Sequence, residues 1–386
     1  MDIEYLKNKF SSLYESSSEI FYFFSPCRIN LIGDHTDYNG GHVFPCALGF
    51  GTYGAVRKRN DSLMKFASGN FSLRVEADIN NLIYNEEHGW ANYLKGTAFE
   101  FIKAGYEIGG LDLYIEGDIP NSAGLSSSAS IELLMGAALD KLYDCGMDRI
   151  KMIKLCQRAE NQYMGMNCGI LDQYAVGMGK PDNGLLLDCL KIEHEYVPLD
   201  LKGYKLIIAN TNTPRNLTNS EYNTRRTACE RSLADLRSGL AINYLCELSE
   251  SEFELNKWLI KNDTARKRAE HVVFENARTL KAVDKLKAGD LFSFGRLMNE
   301  SHISLRDLFE VTIPNLDIMV ETAWGIQGVL GSRMTGGGFG GCTISLVKEE
   351  NAEEFIALSE GVYYKRTGLM PSFYIAAIGG GTREIS

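Results

Sequence analysis

A mixed α/β or α+β protein in two domains is what this chain of 386 residues predicts. Three observations lead there. The length exceeds what one compact core of ordinary size uses, so two domains are expected. Helical and strand patterns are interleaved from end to end, as in the mixed fold classes. No internal repeat, low-complexity stretch or Pro-rich linker interrupts them. The divide is placed near residue 200, giving an N-terminal domain over 1–200 and a C-terminal domain over 201–386.

The first element is a helix over 4–15, with Leu6, Phe10 and Leu13 on one face. The apolar run 20–24 reads as a strand that 28–31 continues, so the polar cluster after it sits on a loop beyond a strand end. WANYLKGTAFEFIKAG (90–105) forms a second helix stopped by Gly105. LDLYIEG (111–117) alternates as a strand, and 151–166 forms a helix running toward Cys168-Gly169. Apolar strands at 184–190 and 204–211 flank a polar segment. Helices around 221–240 and 264–299 fill the second half, and strands near 342–347 and 372–378 close it.

Composition narrows the function. Apolar content of 45% and charged content of 23% are ordinary for a soluble globular protein. A formal net charge of −10 speaks against a nucleic-acid partner, which wants a basic face. It does not exclude a nucleotide substrate, whose charge backbone N–H groups and a divalent metal can meet locally. Nine scattered cysteines, odd in number and without a CxxC pair, argue against a disulfide framework or a zinc site and for a reducing cytoplasm. The acidic, interrupted N-terminus lacks the form of a signal peptide. No stretch is long and apolar enough to span a bilayer.

Residues 28–40, RINLIGDHTDYNG, carry the densest chemistry: Arg28, Asp34, His35, Thr36, Asp37 and Asn39 in one short segment. Such a set suits a site that grips many hydroxyl groups, on a loop carried by a rigid strand. The plain alternative is a polar turn closed by Asn39-Gly40-Gly41. Residues 117–134, GDIPNSAGLSSSASIELL, run from a strand through Pro120, Gly124 and four serines into a helix near Ala129. A glycine-containing turn opening into a helix start is an anion site. The serines can cap that helix or offer hydroxyls to phosphate or metal. No Walker A sequence occurs, and the protein-kinase HRD and DFG signatures are missing.

RMTGGGFGGCTISLV (333–347) formally contains GxGxxG at Gly336, Gly338 and Gly341. Here the pattern precedes a strand instead of following one, so a dinucleotide fingerprint is rejected. Five glycines around Phe339 still require positive φ or close approach to a ligand. In AENQYMGMNCGILDQY (159–174), Glu160 lies on a helix and Asp172 in an apolar setting. A carboxylate there needs a partner, for which Arg28 is a candidate, and structural and catalytic readings of Asp172 both stand. Trp90 and Tyr93 read as core or as a base-stacking platform. His271 reads as a core or helix-end histidine, and RKR (266–268) as a solvated face.

Together these segments resemble the galactokinase family, within the superfamily of galacto-, homoserine, mevalonate and phosphomevalonate (GHMP) kinases. Residues 28–41 resemble the galactokinase signature, 124–129 the superfamily phosphate loop and 336–341 its third motif. WANYLKG, CGILDQ, SEYNTRR (220–226) and RAEHVV extend the likeness over nearly the whole chain. The phosphate loop alone marks only the superfamily; HTDYNGG with CGILDQ marks galactokinases. The resemblance implies a two-domain GHMP-kinase-like fold with the active site in the inter-domain cleft. It implies phosphorylation of α-D-galactose at the anomeric hydroxyl with ATP, the first step of galactose catabolism. Arg28 and Asp172 match catalytic residues. Asp34, His35, Asp37, Gly169 and Tyr222 match sugar contacts. Ser128 and Glu160 match ligands of Mg2+; Gly124, Leu125, Ser126, Ser127 and Ser128 lie along the phosphates, and Trp90 and Tyr93 beside adenine. A cytoplasmic monomer acting on small molecules, with no nucleic-acid or membrane partner, is expected.

Two positions depart from the family. Asp34 stands where Glu is usual, which withdraws the carboxylate by about 1.5 Å from an outer sugar hydroxyl. That keeps open a kinase for a related hexose such as N-acetylgalactosamine. Cys27 replaces a usual glycine before Arg28. A sugar- and ATP-dependent sensor without turnover is the other alternative, and the intact phosphate loop and acid weigh against it.

Overall fold

In the computed structural model, all residues are described except 15–18, 119–123 and 214–217, and the side chains of 218–220. Pro120 and Ser122 of the serine loop, and the side chain of Ser220, therefore lie outside the described residues. The first half opens with helix α1 (Ile3–Leu13), capped by the Asp2 carboxylate, which accepts the Tyr5 N–H at 2.7 Å; Leu6 and Phe10 are its buried face. Strands β1 (Phe21–Asn30), β2 (His42–Val43), β3 (Pro45–Lys58), β4 (Leu63–Ser68), β5 (Val75–Asp78) and β6 (Leu111–Gly117) come next, with α2 (Ala91–Lys103) before β6. Helices α3 (Ser127–Leu142), α4 (Arg149–Arg158) and α5 (Leu171–Met178) lead to β7 (Asn183–Asp188) and β8 (Glu193–Pro198).

The second half runs β9 (Tyr204–Asn210), α6 (Thr218–Leu236), α7 (Glu250–Asn256), α8 (Asp263–Lys287), α9 (Leu291–Ser304) and α10 (Pro314–Trp324). It ends in β10 (Val329–Met334), β11 (Cys342–Lys348), α11 (Ala352–Thr367), β12 (Ser372–Ile375) and β13 (Arg383–Ile385). The class is mixed, as the sequence predicts. A six-stranded sheet has the order β13-β1-β3-β6-β4-β5, antiparallel except for β4 against β6. The last strand thus returns to pair with the first. A four-stranded sheet, β10-β11-β9-β12, and a three-stranded one, β2-β7-β8, are antiparallel throughout.

One apolar core lies between the six-stranded sheet and helices α2 to α5, with Phe66, Leu113, Leu133 and Ile153 wholly or almost wholly buried. A second joins the two halves: Ile29, Leu31 and Phe44 pack with Leu206, Phe294 and Ile344. Strand β1 therefore belongs to the packing of both halves, and the loop beyond its end is held between them.

The β1–β3 register shifts between Pro26 and Arg28. The Arg28 N–H turns instead to the Leu125 carbonyl, at 3.2 Å. Bulges re-aim side chains near active sites. Cys27 sits at this bulge, wholly buried in the apolar core, which gives its place a packing reason.

Candidate active site

Thr36 and Asn39, on the loop after β1, are turned to backbone, donating to the Gly33 and His42 carbonyls and to the His35 carbonyl respectively. One cleft of about 510 Å³ is lined by all but one of the residues that the family resemblance assigns to a site. The exception is Leu125, which is wholly buried and contributes its carbonyl to Arg28 instead. The cleft draws on the loop after β1, the start of α3, the turn before α5, α6 and the glycine loop between β10 and β11.

The loop after β1 is held from behind by α8. His271 donates from Nε2 to the Asp34 carbonyl (3.2 Å), Glu275 accepts the Gly33 N–H (3.1 Å) and Asn276 accepts the His42 N–H (2.8 Å). Burial pulls His271 down to about 4, so it is a neutral core histidine. Gly33, at φ +96, could not carry a side chain, since a Cβ would stand 2.7 Å from the His42 carbonyl oxygen.

The pocket face of that loop carries three candidate sugar contacts. The Asp34 carboxylate is bound by the Arg333 guanidinium and accepts the Gly336 N–H at 3.1 Å. His35 shares a hydrogen bond between Nδ1 and the Tyr38 hydroxyl (2.9 Å), while Nε2 is buried with no protein partner. Burial lowers its pKa well below the ordinary value, so the ring is neutral. Its ring packs against Tyr222 and Phe309, with centroids 5.4 and 4.5 Å away. Asp37 is pushed up to about 6 by burial and then by the charge of Asp172, against N–H groups of Tyr38 and Leu171. Gly169 abuts this carboxylate so closely that a Cβ there would lie 1.8 Å from Asp37 Oδ2. Absence of a side chain, not left-handed backbone, is what position 169 requires.

Arg28 and Asp172 form a two-pronged pair, Nε to Oδ1 at 2.7 Å and a terminal nitrogen to Oδ2 at 2.9 Å. The other terminal nitrogen donates to the Gly124 carbonyl at 3.0 Å. Burial alone would lower Arg28, but the charge and bond of Asp172 carry it above its ordinary value, so it stays cationic. Ser126, at φ +63, occupies the cap position of α3 without making a side-chain cap bond. Its hydroxyl donates to Asp172 Oδ2 at 2.6 Å. The plain capping reading of Ser126 is thus corrected. Gly336 closes over this point, so near that a Cβ would meet the Gly124 carbonyl oxygen at 3.4 Å and Arg28 at 3.6 Å.

Glu160 does not lie on a regular α-helix. Helix α4 ends at Arg158 and a π-helical turn, Ala159–Tyr163, carries it into the cleft. Such turns recur at functional sites. Burial and the Asp172 charge raise its pKa to about 7, against hydrogen bonds from Ser128, Gln173 and Cys168. Among the described residues no group of three or more His, Cys, Asp or Glu side chains is gathered for a metal. One buried carboxylate beside a serine hydroxyl does fit Mg2+, which keeps waters and takes phosphate oxygens instead of an all-protein cage.

Trp90 and Tyr93 line the cleft, so the core-only reading of that pair does not hold. Phe71 stacks on Trp90 (centroids 6.4 Å, planes 20° apart), and the Trp90 indole N–H is buried without a protein partner. Phe71, Asn70 and Thr52 also line the cleft without a signal in the sequence; Arg333, behind the loop and bound to Asp34, carries none either. The RKR reading needs correction at one residue: Arg268 is buried, bonding the Leu308 carbonyl and, at 2.6 Å, Glu310.

Comparison with known proteins agrees with this geometry. Residues 8–58 match the galactokinase galactose-binding signature, 92–180 the N-terminal domain of GHMP kinases and 282–359 their C-terminal domain. The galactokinase of Bacillus subtilis is 49% identical over 99% of both chains, and that of Fusobacterium nucleatum 50% identical over 99% of this chain and 100% of its own. The crystal structure of Lactococcus lactis galactokinase complexed with galactose has a TM-score of 0.97 at 45% identity, covering 99% of this chain and 100% of that one. Methanococcus jannaschii mevalonate kinase, at 17% identity and a TM-score of 0.67 over 95% of this chain and 100% of its own, shares the fold. With its sugar loop, serine-rich helix start and glycine loop closing one cleft, and with relatives alike from end to end, the chain belongs to the galactokinase family of the GHMP kinases.

Proposed function

We propose that this chain transfers the γ-phosphoryl group of ATP to the anomeric hydroxyl of α-D-galactose, releasing galactose 1-phosphate and ADP. The observation that carries the reading is the Arg28–Asp172 pair. It stands where the α3 start, bonded through Ser126, meets the loop that carries His35 and Asp37. A nucleotide triphosphate tail along Gly124 to Ser128 and a hexose against Asp37, Gly169 and Tyr222 would therefore share one reacting point.

Phosphoryl transfer asks mainly for positioning and charge stabilisation. The sugar oxygen forms its bond to the γ-phosphorus as the bond to the β,γ-bridging oxygen breaks. Asp172 takes the hydroxyl proton or orients it. Arg28 stabilises charge on the group in transit. N–H groups at the α3 start receive phosphate oxygens, with the helix dipole in support. Ser128 and Glu160 would hold Mg2+, which when bound neutralises phosphate charge. His35, packed on Tyr222, would face the sugar, and Trp90, stacked with Phe71, the nucleotide base.

The reading takes the chain as a monomer of the cytoplasm, divided near residue 200. None of the nine cysteines is joined in a disulfide, which suits a reducing compartment. No helix among the described residues is long and apolar enough to cross a membrane. ADP release measured with ATP over a panel of hexoses tests the function. Galactose is expected to lead, and a clear preference for N-acetylgalactosamine or another hexose would overturn the choice of substrate.

A further inference from the structure

Behind the cleft lies a polar cluster that the proposed reaction does not use. Gln173 comes directly after Asp172 in the first turn of α5 and is wholly buried. Its single amide nitrogen donates to two carboxylates, Glu160 Oε2 at 2.5 Å and Glu132 Oε2 at 3.0 Å. Glu132 lies on α3, one turn beyond Ser128, and is also wholly buried. Glu132 Oε1 and Gln173 Oε1 have no hydrogen-bond partner. Burial and the neighbouring Glu160 charge push Glu132 well above the ordinary carboxylate range.

Burying these groups is costly unless they are hydrogen-bonded, and the Gln173 amide supplies a bond to each carboxylate. An amide N–H2 with both hydrogens spent on two carboxylates fixes their separation. The thiol of Cys168 lies 3.1 Å from Asn161 Oδ1 and farther, 3.7 Å, from the same oxygen of Glu160, so the Gln173 amide is the shorter contact on Oε2.

We infer that Gln173 is a positioning residue for the cation: it pins Oε2 of Glu160 so that Oε1 is presented to the Mg2+ that accompanies ATP, and Glu132 anchors Gln173 from behind. The inference rests on the proposed role of Glu160 as a metal ligand. The first turn of α5 then serves both substrates' chemistry, Asp172 facing Arg28 and Gln173 facing Glu160. Partners that orient a metal ligand from outside commonly set affinity by about 10–100-fold.

The test is Mn2+ binding, monitored by electron paramagnetic resonance, to the full chain with a non-hydrolysable ATP analogue. Gln173→Leu is expected to weaken Mn2+ by about 10–100-fold while metal-free nucleotide binding holds. Glu132→Gln keeps an acceptor for Gln173 and is expected to stay within about threefold of native, a margin small beside that range. Where Gln173→Leu does not fold, Glu132→Leu/Gln173→Leu removes donor and acceptor together and serves instead. Native Mn2+ affinity in the leucine variant would overturn the inference. Glu160→Gln is the control: if it too binds Mn2+ as native does, the metal-ligand reading fails first, whereas its loss beside an unaffected Gln173→Leu sinks only the positioning role.

Discussion

Two arginine–aspartate pairs stand at the cleft, and they are built for opposite purposes. Arg28–Asp172 is two-pronged, and the Asp172 side chain keeps 29% of its surface open. Arg333–Asp34 is almost wholly buried, with Arg333 at 0% and Asp34, at the edge of the cleft, at 4%. Arg333 spends its other terminal nitrogen on the carbonyls of Asn30 and Leu31, at 3.2 and 3.1 Å. It ties the end of β1 to β10, across the two halves. Equal charge and similar chemistry thus divide into one pair that can meet a substrate and one that fastens the frame. Asp34, matched by resemblance to a sugar contact, has its carboxylate drawn toward that frame.

The difference predicts opposite failures. Arg28→Ala should lower kcat by about 10³–10⁵-fold and Asp172→Asn by about 10²–10⁴-fold, with folding retained. Stopped-assay ADP release and circular dichroism measure the two halves of that statement. Near-native turnover in Asp172→Asn would refute the proton-accepting role. Arg333→Met should instead cost about 3–5 kcal/mol of folding free energy, because it strands the Asp34 charge in the interior. Adding Asp34→Asn should recover much of that loss, measured by urea unfolding. A stable Arg333→Met protein lacking only activity would erase the contrast between the pairs.

Sequence showed the exposed pair better than the closed one, for physical reasons. Arg28 lies in a dense polar motif, and Asp172 is a carboxylate in an apolar setting that needs a partner, so their pairing could be guessed. Arg333 and Asp34 are 299 residues apart, and no local pattern announces a contact made only by tertiary packing. Strand β3 was unread because Gly49, Gly51 and Gly54 depress strand propensity. Gly51 is required there, since a Cβ would lie 2.1 Å from the Ser25 carbonyl oxygen on β1. The helix read over 264–299 is two, α8 and α9. The break was written in Gly289-Asp290: the glycine is at φ +70, and the aspartate caps α9 by accepting the Ser293 N–H at 3.0 Å. Glu160 was legible as a candidate ligand, but the π-helical turn that delivers it was not.

Asp37 is the second carboxylate on the loop that carries Asp34, and among the described residues no arginine or lysine is paired with it. Its folded pKa, about 6, lies above the 3.8 of an ordinary aspartate. The folded state therefore binds the proton more tightly than the unfolded one. This group's contribution to stability is fully present below pH 3.8 and is lost as pH rises through about 6. The loss is about 3 kcal/mol at roughly 1.4 kcal/mol per unit. Urea curves of native protein and Asp37→Asn should therefore converge or cross between these pH values, with the variant gaining at pH 7. Galactose, whose hydroxyls would donate to the ionised group, should reduce the gain. Parallel curves at all pH values would place an unseen cation beside Asp37 and make it a third pair.

The smallest effect expected is at Gly169, and it separates sugar contact from catalysis most finely. A Cβ there would stand 1.8 Å from Oδ2 and 2.1 Å from Cγ of Asp37. The carboxylate, held at 3.4 Å by the Leu171 N–H, has to move. Arg28 and Asp172 are untouched by that displacement. Gly169→Ala should raise the KM for galactose about tenfold, equivalent to roughly 1.4 kcal/mol, and leave kcat and the KM for ATP near native. Gly361→Ala, with nothing within 4 Å, is the neutral control. A native KM in Gly169→Ala would mean that Asp37 can shift freely without the sugar noticing, and the loop would then grip galactose through His35 and Tyr222 alone.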